Sequence, residues 1–203
     1  MIIFYRIHSD SPNIRKITIM LEETGLPYQV EYVVKQENGK FDDAFRAINP
    51  NGTVPAIVDT DKGITIFESG AILHYLAEKT RQLLPENPQQ RAEVMQWLMF
   101  EVANVCPTML ELYHYMLTDM VDDPEAILQR YKDKLSRHCT LLNQQLEGKT
   151  YLCGEYAIAD IALYPWSVIL EDMAEIDLAD YPHLQSWSHR IGQRSAVQRA
   201  ICS

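Results

Sequence analysis

Hydrophobic positions change their period several times over the first eighty residues, and each change marks an element. Ile3-Phe4-Tyr5 is a short apolar run that predicts a strand. Ile14, Ile17 and Leu21 recur at helical spacing, behind Ser11 as a plausible N-cap and Pro12 at the first helical position, and Gly25 with Pro27 stops the run. Tyr28, Val30, Tyr32 and Val34 then alternate with Gln29 and Glu31, the period-two pattern of a strand. A short helix is expected over 41–48, closed by Asn49-Pro50. Ala56-Ile57-Val58 and Ile64-Thr65-Ile66 predict a hairpin across the turn 59–63, and Ser69 opens a helix with Ile72, Leu73, Tyr75 and Leu76 on its apolar side. The order is β-α-β, α, β-β, α. It predicts a thioredoxin-like arrangement, two strands joined by a parallel crossover and two by a hairpin.

Beyond residue 80 the strand patterns end. Residues 84–88 carry two prolines and read as a connector. A long helix is expected over 91–120, kinked or split at Pro107, whose ring and missing N–H break the ladder. Asp122-Asp123-Pro124-Glu125 starts another, with acids suited to a helix N-terminus, and Ile127, Leu128, Tyr131, Leu135, Leu142 and Leu146 form its apolar face up to Gly148. An apolar, buried helix follows over 158–163, and one or two more over 184–200. The expected fold is an α/β domain over 1–80, a linker over 81–88 and an all-α domain over 89–203.

Composition narrows the function. A net charge of −10 without a basic run argues against nucleic acid and anionic membranes as partners. The start of the chain reads as a strand, and no apolar run reaches spanning length. Cys106, Cys139, Cys153 and Cys202 form no CxxC and no metal-ligand spacing with histidine. They read as reduced thiols of a cytoplasmic protein that holds no metal.

Candidate chemistry concentrates in residues 51–70. Val54-Pro55, at the entrance of a strand, is a candidate cis bond. In that geometry the backbone of Val54 turns outward, able to pair with an extended peptide. Ser69 adds a hydroxyl and a helix N-terminus for an anion, and Glu68 a carboxylate for an amine. Such a set fits a ligand with an extended backbone, a carboxylate and an ammonium group.

That combination resembles the N-terminal half of a cytosolic glutathione transferase. The resemblance implies that Thr53, Val54 and Pro55 bind the cysteinyl backbone of glutathione, and Glu68 and Ser69 its γ-glutamyl end. Gly154 and Ile158-Ala159-Asp160 resemble the family's C-terminal domain, with Ala157 where a Ser or Thr cap is usual. This departure is expected to cost about 1 kcal/mol of local stability. Ser11-Pro12-Asn13 followed by Lys16-Ile17-Thr18, and residues 67–80, resemble the Nu-class and Ure2-like group. One departure is Ile14-Arg15, where the group has Gly-His.

The family holds glutathione so that its thiol, with a free pKa of about 8.5, ionises near neutral pH. On this resemblance Asn13 is the main donor to the sulfur and Ser11 the second, with Ser9 in the same loop and Tyr5 near the position of the tyrosine-type residue. Tyr5 falls within the strand pattern, and core packing competes with a catalytic role. Lys40 and Arg130 match positions that reach glutathione, against a solvated lysine and a surface arginine. Tyr113, His114 and Tyr115 are candidates for a second-substrate pocket, against plain packing. The resemblance implies glutathione as substrate and a homodimer. The thiolate attacks a small electrophile, or it reduces disulfides or peroxides. A non-catalytic regulator of the same fold is the third reading.

Overall fold

The computed structural model describes residues 1–9, 11–37, 39–117 and 124–201; Met120, the expected helix start at Asp122-Asp123, and Cys202 lie outside them. Four strands, β1 (Ile2–Arg6), β2 (Tyr28–Tyr32), β3 (Ala56–Asp59) and β4 (Ile64–Phe67), form one sheet in the order β2-β1-β3-β4. β1 runs parallel to β2, and β3 is antiparallel to both β1 and β4. Helices α1 (Pro12–Thr24), α2 (Asp43–Ile48) and α3 (Ser69–Thr80) complete the expected order. β2 stops at Tyr32, two residues short of the alternating pattern, and leaves Val34 exposed.

Ser11 caps α1, its hydroxyl accepting the Ile14 N–H at 3.4 Å, and Gly25 ends it at φ 65°, a left-handed conformation that suits glycine. α1 packs against both α3 and α10 (Ser195–Ile201), which is why every residue from Lys16 to Leu21 is buried. α3 is tied to the sheet through the buried carboxylate of Asp59, which accepts from the Tyr75 hydroxyl at 2.5 Å and Lys79 Nζ at 2.6 Å. Burial pushes the Asp59 carboxyl up, but the bonds from Lys79 and Tyr75 outweigh it and hold it below the usual carboxylate range.

The chain divides into two compact units, one of residues 1–84 with α10 and one of residues 85–194. The final helix therefore belongs with the α/β half, not with the second half to which its place in the sequence assigned it. The reason is α1: Arg199 at the far end of the chain donates to the Glu22 carboxylate at 2.7 Å and to the Glu22 carbonyl at 3.2 Å.

The second unit is helical: α4 (Pro88–Phe100), α5 (Cys106–Met116), α6 (Pro124–Gln145), α7 (Ile158–Ser167), α8 (Leu170–Ala174) and α9 (Pro182–Gly192). The expected break at Pro107 takes the form of a π-helical turn over Glu101–Val105, in which the Cys106 N–H reaches the Glu101 carbonyl. Widening the turn before the proline relieves the clash its ring makes with an α-helical carbonyl. Every residue of α7 is buried.

Ala157 supplies no side-chain cap to α7, yet the helix start is not bare. The Asp160 N–H bonds the Ala157 carbonyl at 3.0 Å, and Asp160 Oδ2 accepts the Ala157 N–H at 3.0 Å. Asp160 Oδ1 accepts the Leu152 N–H at 3.0 Å and the Trp187 indole N–H at 2.7 Å, joining the preceding loop and α9 to α7. Burial pushes the Asp160 carboxyl up to about 6 against the pull of these donors. Asp160→Asn, with one acceptor oxygen instead of two, should cost about 1–3 kcal/mol in denaturant unfolding. Because the carboxyl is raised in the folded state, its contribution is complete below its ordinary range and is lost as pH rises through about 6. The gap between parent and Asp160→Asn should therefore narrow between pH ~4 and ~6; a gap that widens over that range contradicts the assignment.

Candidate functional site

The sheet register builds the site. β3 pairs with β1 through Tyr5↔Ala56 and with β4 through Ala56↔Phe67. The end of β1, the entrance of β3 and the exit of β4 therefore lie side by side. Three connections meet at this end: the loop from β1 to Ser11, the loop 49–55, and the junction of Glu68 with Ser69. The first is braced by Arg6, whose guanidinium donates to the Ser9 carbonyl at 3.3 Å, and by His8 stacked on Tyr32 at 3.8 Å.

Asn13 and Ser69 meet directly. The Ser69 hydroxyl donates to Asn13 Oδ1 at 3.2 Å, and Lys16 Nζ donates to the same oxygen at 2.7 Å and to Ser69 Oγ at 3.4 Å. Ser69 is the first helical residue and not a plain N-cap. Glu68 holds the cap position at φ 69° and ψ 117°, with no side-chain cap bond. A left-handed φ on a residue with a Cβ is strained by roughly 1–3 kcal/mol. It leaves the Glu68 carboxylate exposed, with no partner among the described residues.

Val54-Pro55 is cis, and Pro55 is buried at the head of β3. Val54 packs with Tyr5 against the cluster of Phe41, Phe45 and Ala56. The approach to Val54 is fixed by Asn49, a fully buried side chain that the sequence reading treated as turn punctuation before Pro50. Its Nδ2 donates to the Thr53 carbonyl at 2.6 Å and to Thr53 Oγ1 at 3.2 Å, and its Oδ1 accepts the Asn51 N–H at 3.0 Å. Gly52, at φ 65°, lets the chain turn tightly enough for its N–H to reach the Asn49 carbonyl at 2.9 Å.

Lys16 is the other residue that sequence reasoning missed. It is fully buried, although a lysine within a helix reads as solvated. Its signal was its spacing: three residues after Asn13 puts both on one face of α1, and its neighbours in the sequence are core positions.

The remaining candidates are dispersed. Ser11 caps α1, and Ser9 is exposed with its N–H on the Ile7 carbonyl at 2.8 Å. Tyr5 lies against Phe45 at 5.9 Å, and burial, with Glu31 nearby, raises its hydroxyl above the ordinary range. Arg15 is half-buried on α1. Lys40 is exposed, its carbonyl accepting the Gln36 N–H at 2.8 Å. Arg130, Tyr113 and His114 belong to the second unit and are exposed on α6 and α5, while Tyr115 stacks on Tyr131 at 5.6 Å. Among the described residues no cluster of His, Cys, Asp or Glu has the makings of a metal site, and no helix is long and apolar enough to cross a membrane.

Comparison with known proteins identifies the family. Residues 10–79 match the glutathione S-transferase N-terminal domain and residues 105–194 its C-terminal domain. The disulfide-bond oxidoreductase YfcG of Escherichia coli is 41% identical over 94% of this chain and 91% of its own length. A glutathione transferase from Pseudomonas putida, solved with one glutathione disulfide bound per subunit, superposes with a TM-score of 0.88 at 32% identity, covering 98% of this chain and 90% of that one. A family member from Pseudomonas fluorescens Pf-5, solved with two glutathiones bound, gives 0.89 at 33% identity, covering 98% and 92%. With both halves matched and relatives of this kind along nearly its whole length, the chain belongs to the glutathione S-transferase family.

Proposed function

We propose that this protein binds glutathione at the sheet end described above and uses its thiolate to reduce small disulfides. The observation that carries the reading is the meeting of Asn13 with Ser69, the start of α3, beside the cis Val54-Pro55. In this reading Val54 pairs with the cysteinyl backbone, with Thr53 and Pro55 shaping the approach. Glu68 takes the γ-glutamyl ammonium, Ser69 and the helix N-terminus its carboxylate, and Asn13 donates to the sulfur. Ser11 is the second donor, limited by its bond to the Ile14 N–H. Lys40 adds charge for the glycyl carboxylate.

No cysteine occurs before Cys106, so the loop after β1 and the start of α1 offer no sulfur of their own, and the reacting sulfur in this reading is that of glutathione. A glutathione thiolate attacks one sulfur of the disulfide and expels the other as a thiolate. A second glutathione thiolate then attacks the mixed disulfide, releasing the second thiolate and glutathione disulfide. The relatives, an oxidoreductase of disulfide bonds and structures that hold glutathione disulfide or two glutathiones, favour this use. Attack of the same thiolate on a small electrophile is the second reading, supported by the family's name. The free thiols of Cys106, Cys139 and Cys153 suit a reducing, cytoplasmic setting.

Glutathione-dependent reduction of a small symmetrical disulfide, measured beside conjugation to an aryl halide, tests the assignment. The parent should reduce the disulfide faster than it conjugates the halide. Asn13→Ala should slow turnover roughly ten- to a thousandfold, the range for a lost donor to an anion, and Tyr5→Phe should stay near the parent. Full activity in Asn13→Ala with none in Tyr5→Phe assigns the sulfur to the tyrosine instead.

Glu68→Gln should weaken glutathione binding roughly ten- to a hundredfold by calorimetry, as one partner of a charge-assisted bond is removed. A tripeptide lacking the γ-glutamyl amine should lose affinity for the parent and little for the variant. Purely additive losses separate Glu68 from the amine.

The assembly we propose is a C₂ homodimer, the commonest arrangement of a soluble oligomer. Sedimentation at micromolar concentration should give twice the chain mass of 23.4 kDa; a species at 23.4 kDa refutes it.

A further inference from the structure

We infer that Lys16 is a positioning residue that sets which end of the Asn13 amide faces the ligand, and that it links the Ser69 end of the site to the sulfur end. The inference rests on the reading above in which Asn13 donates to the glutathione sulfur.

Lys16 has no exposure to solvent although it sits among Ile14, Ile17 and Ile19. A buried amine costs several kcal/mol unless it is hydrogen-bonded, and its bonds here reach the site itself: Asn13 Oδ1 at 2.7 Å and Ser69 Oγ at 3.4 Å. A lysine ammonium has three donors and no acceptor. It therefore admits only the oxygen end of the Asn13 amide. The Ser69 hydroxyl, donating to the same oxygen at 3.2 Å, requires the same orientation.

An asparagine amide is nearly symmetrical in shape, and either end fits a given space. For a thiolate the ends are opposites, because Nδ2 donates while Oδ1 repels. Two donors on Oδ1 fix that choice, leaving Nδ2 as the end for an anion. Withdrawal of charge through the amide also strengthens Nδ2 as a donor, as in chains of polarised hydrogen bonds.

Ser69 gives the arrangement a second consequence. A serine has one O–H, and here it is donated to Asn13. A γ-glutamyl carboxylate arriving at the start of α3 competes for that proton, and Asn13 Oδ1 then keeps its orientation through Lys16. Both ends of one ligand thus bear on a single buried amine.

The test is the thiolate content of saturating glutathione on the protein, read by ultraviolet absorbance across pH, with thermal unfolding as a check on the fold. The proteins are the parent, Lys16→Met, Asn13→Ala, the double variant and Ser69→Ala. Lys16→Met keeps an unbranched side chain of similar length. It should lower the thiolate-to-thiol ratio about tenfold, equivalent to about 1.4 kcal/mol, and it should add nothing further in the Asn13→Ala background.

An equal effect of Lys16→Met in both backgrounds, or none in a folded parent background, overturns the inference. If Asn13→Ala leaves the thiolate unchanged, the donor role proposed for Asn13 fails, and this inference with it. If Asn13→Ala lowers it and Lys16→Met does not, only the inference fails. Ser69→Ala, whose proton the bound carboxylate would take, should lose affinity but keep its thiolate at saturation; a thiolate loss at saturation overturns the link. Should Lys16→Met not fold, Lys16→Gln decides: without the ammonium, the thiolate at saturation should fall in the parent background and not in Asn13→Ala, and an unchanged thiolate in folded Lys16→Gln overturns the inference.

Discussion

A buried lysine must find its hydrogen-bond partners inside the protein, and satisfying Lys16 decides how α1 meets α3. It bonds Asn13 on its own helix and Ser69, the first residue of α3, so the two helices are held in register at one point. The far part of α3 is held separately, by Tyr75 and Lys79 on Asp59. Between these two anchors the apolar face of Ile72, Leu73 and Leu76 is fully buried. Hydrophobic burial supplies most of the driving force, but it is non-directional. The polar contacts at either end set the position of Ser69 relative to Asn13.

The loop 49–55 shows the same division of labour. Phe41, Phe45 and Ala56 provide the packing, and one buried amide, Asn49, sets the path of the chain above it. Because its bonds run to the backbone of residues 51 and 53, the loop is held by groups that every residue carries. The Thr53 hydroxyl joins the same network, accepting from the side-chain amides of Asn49 and Asn51. Glu68 is the converse case: its backbone is strained and its side chain exposed, which suits a position selected for contact and not for stability.

The sequence disclosed what depends on local chemistry and concealed what depends on long-range pairing. The change from period two to helical spacing located β1, α1, β2 and α3, and Pro107 announced the break that became the π turn. Val54-Pro55 and Glu68-Ser69 were visible because strand entrances and helix starts have residue preferences. Asn49 and Lys16 were not. Asparagine before proline reads as a turn wherever it occurs, and a lysine in a helix reads as solvated; only the fold reveals that each is enclosed. Ala157 misled in a milder way. Its missing hydroxyl was visible, but the carboxylate of Asp160, which carries the loop, the helix start and Trp187 together, binds groups that are not adjacent in the chain.

Helix α10 makes the first unit discontinuous: the second is, in chain order, an insertion between α3 and α10. Glu22 and Arg199, bonded at 2.7 Å, are 177 residues apart. The ribosome therefore delivers the α/β half in two instalments, with the all-α half between them. The helix that carries Asn13 and Lys16 waits for α10 until the whole helical unit has been synthesised. Closing so long a loop costs little more entropy than a shorter one, so the delay is one of order and not of stability. The α/β half is complete only after the helical half has been made.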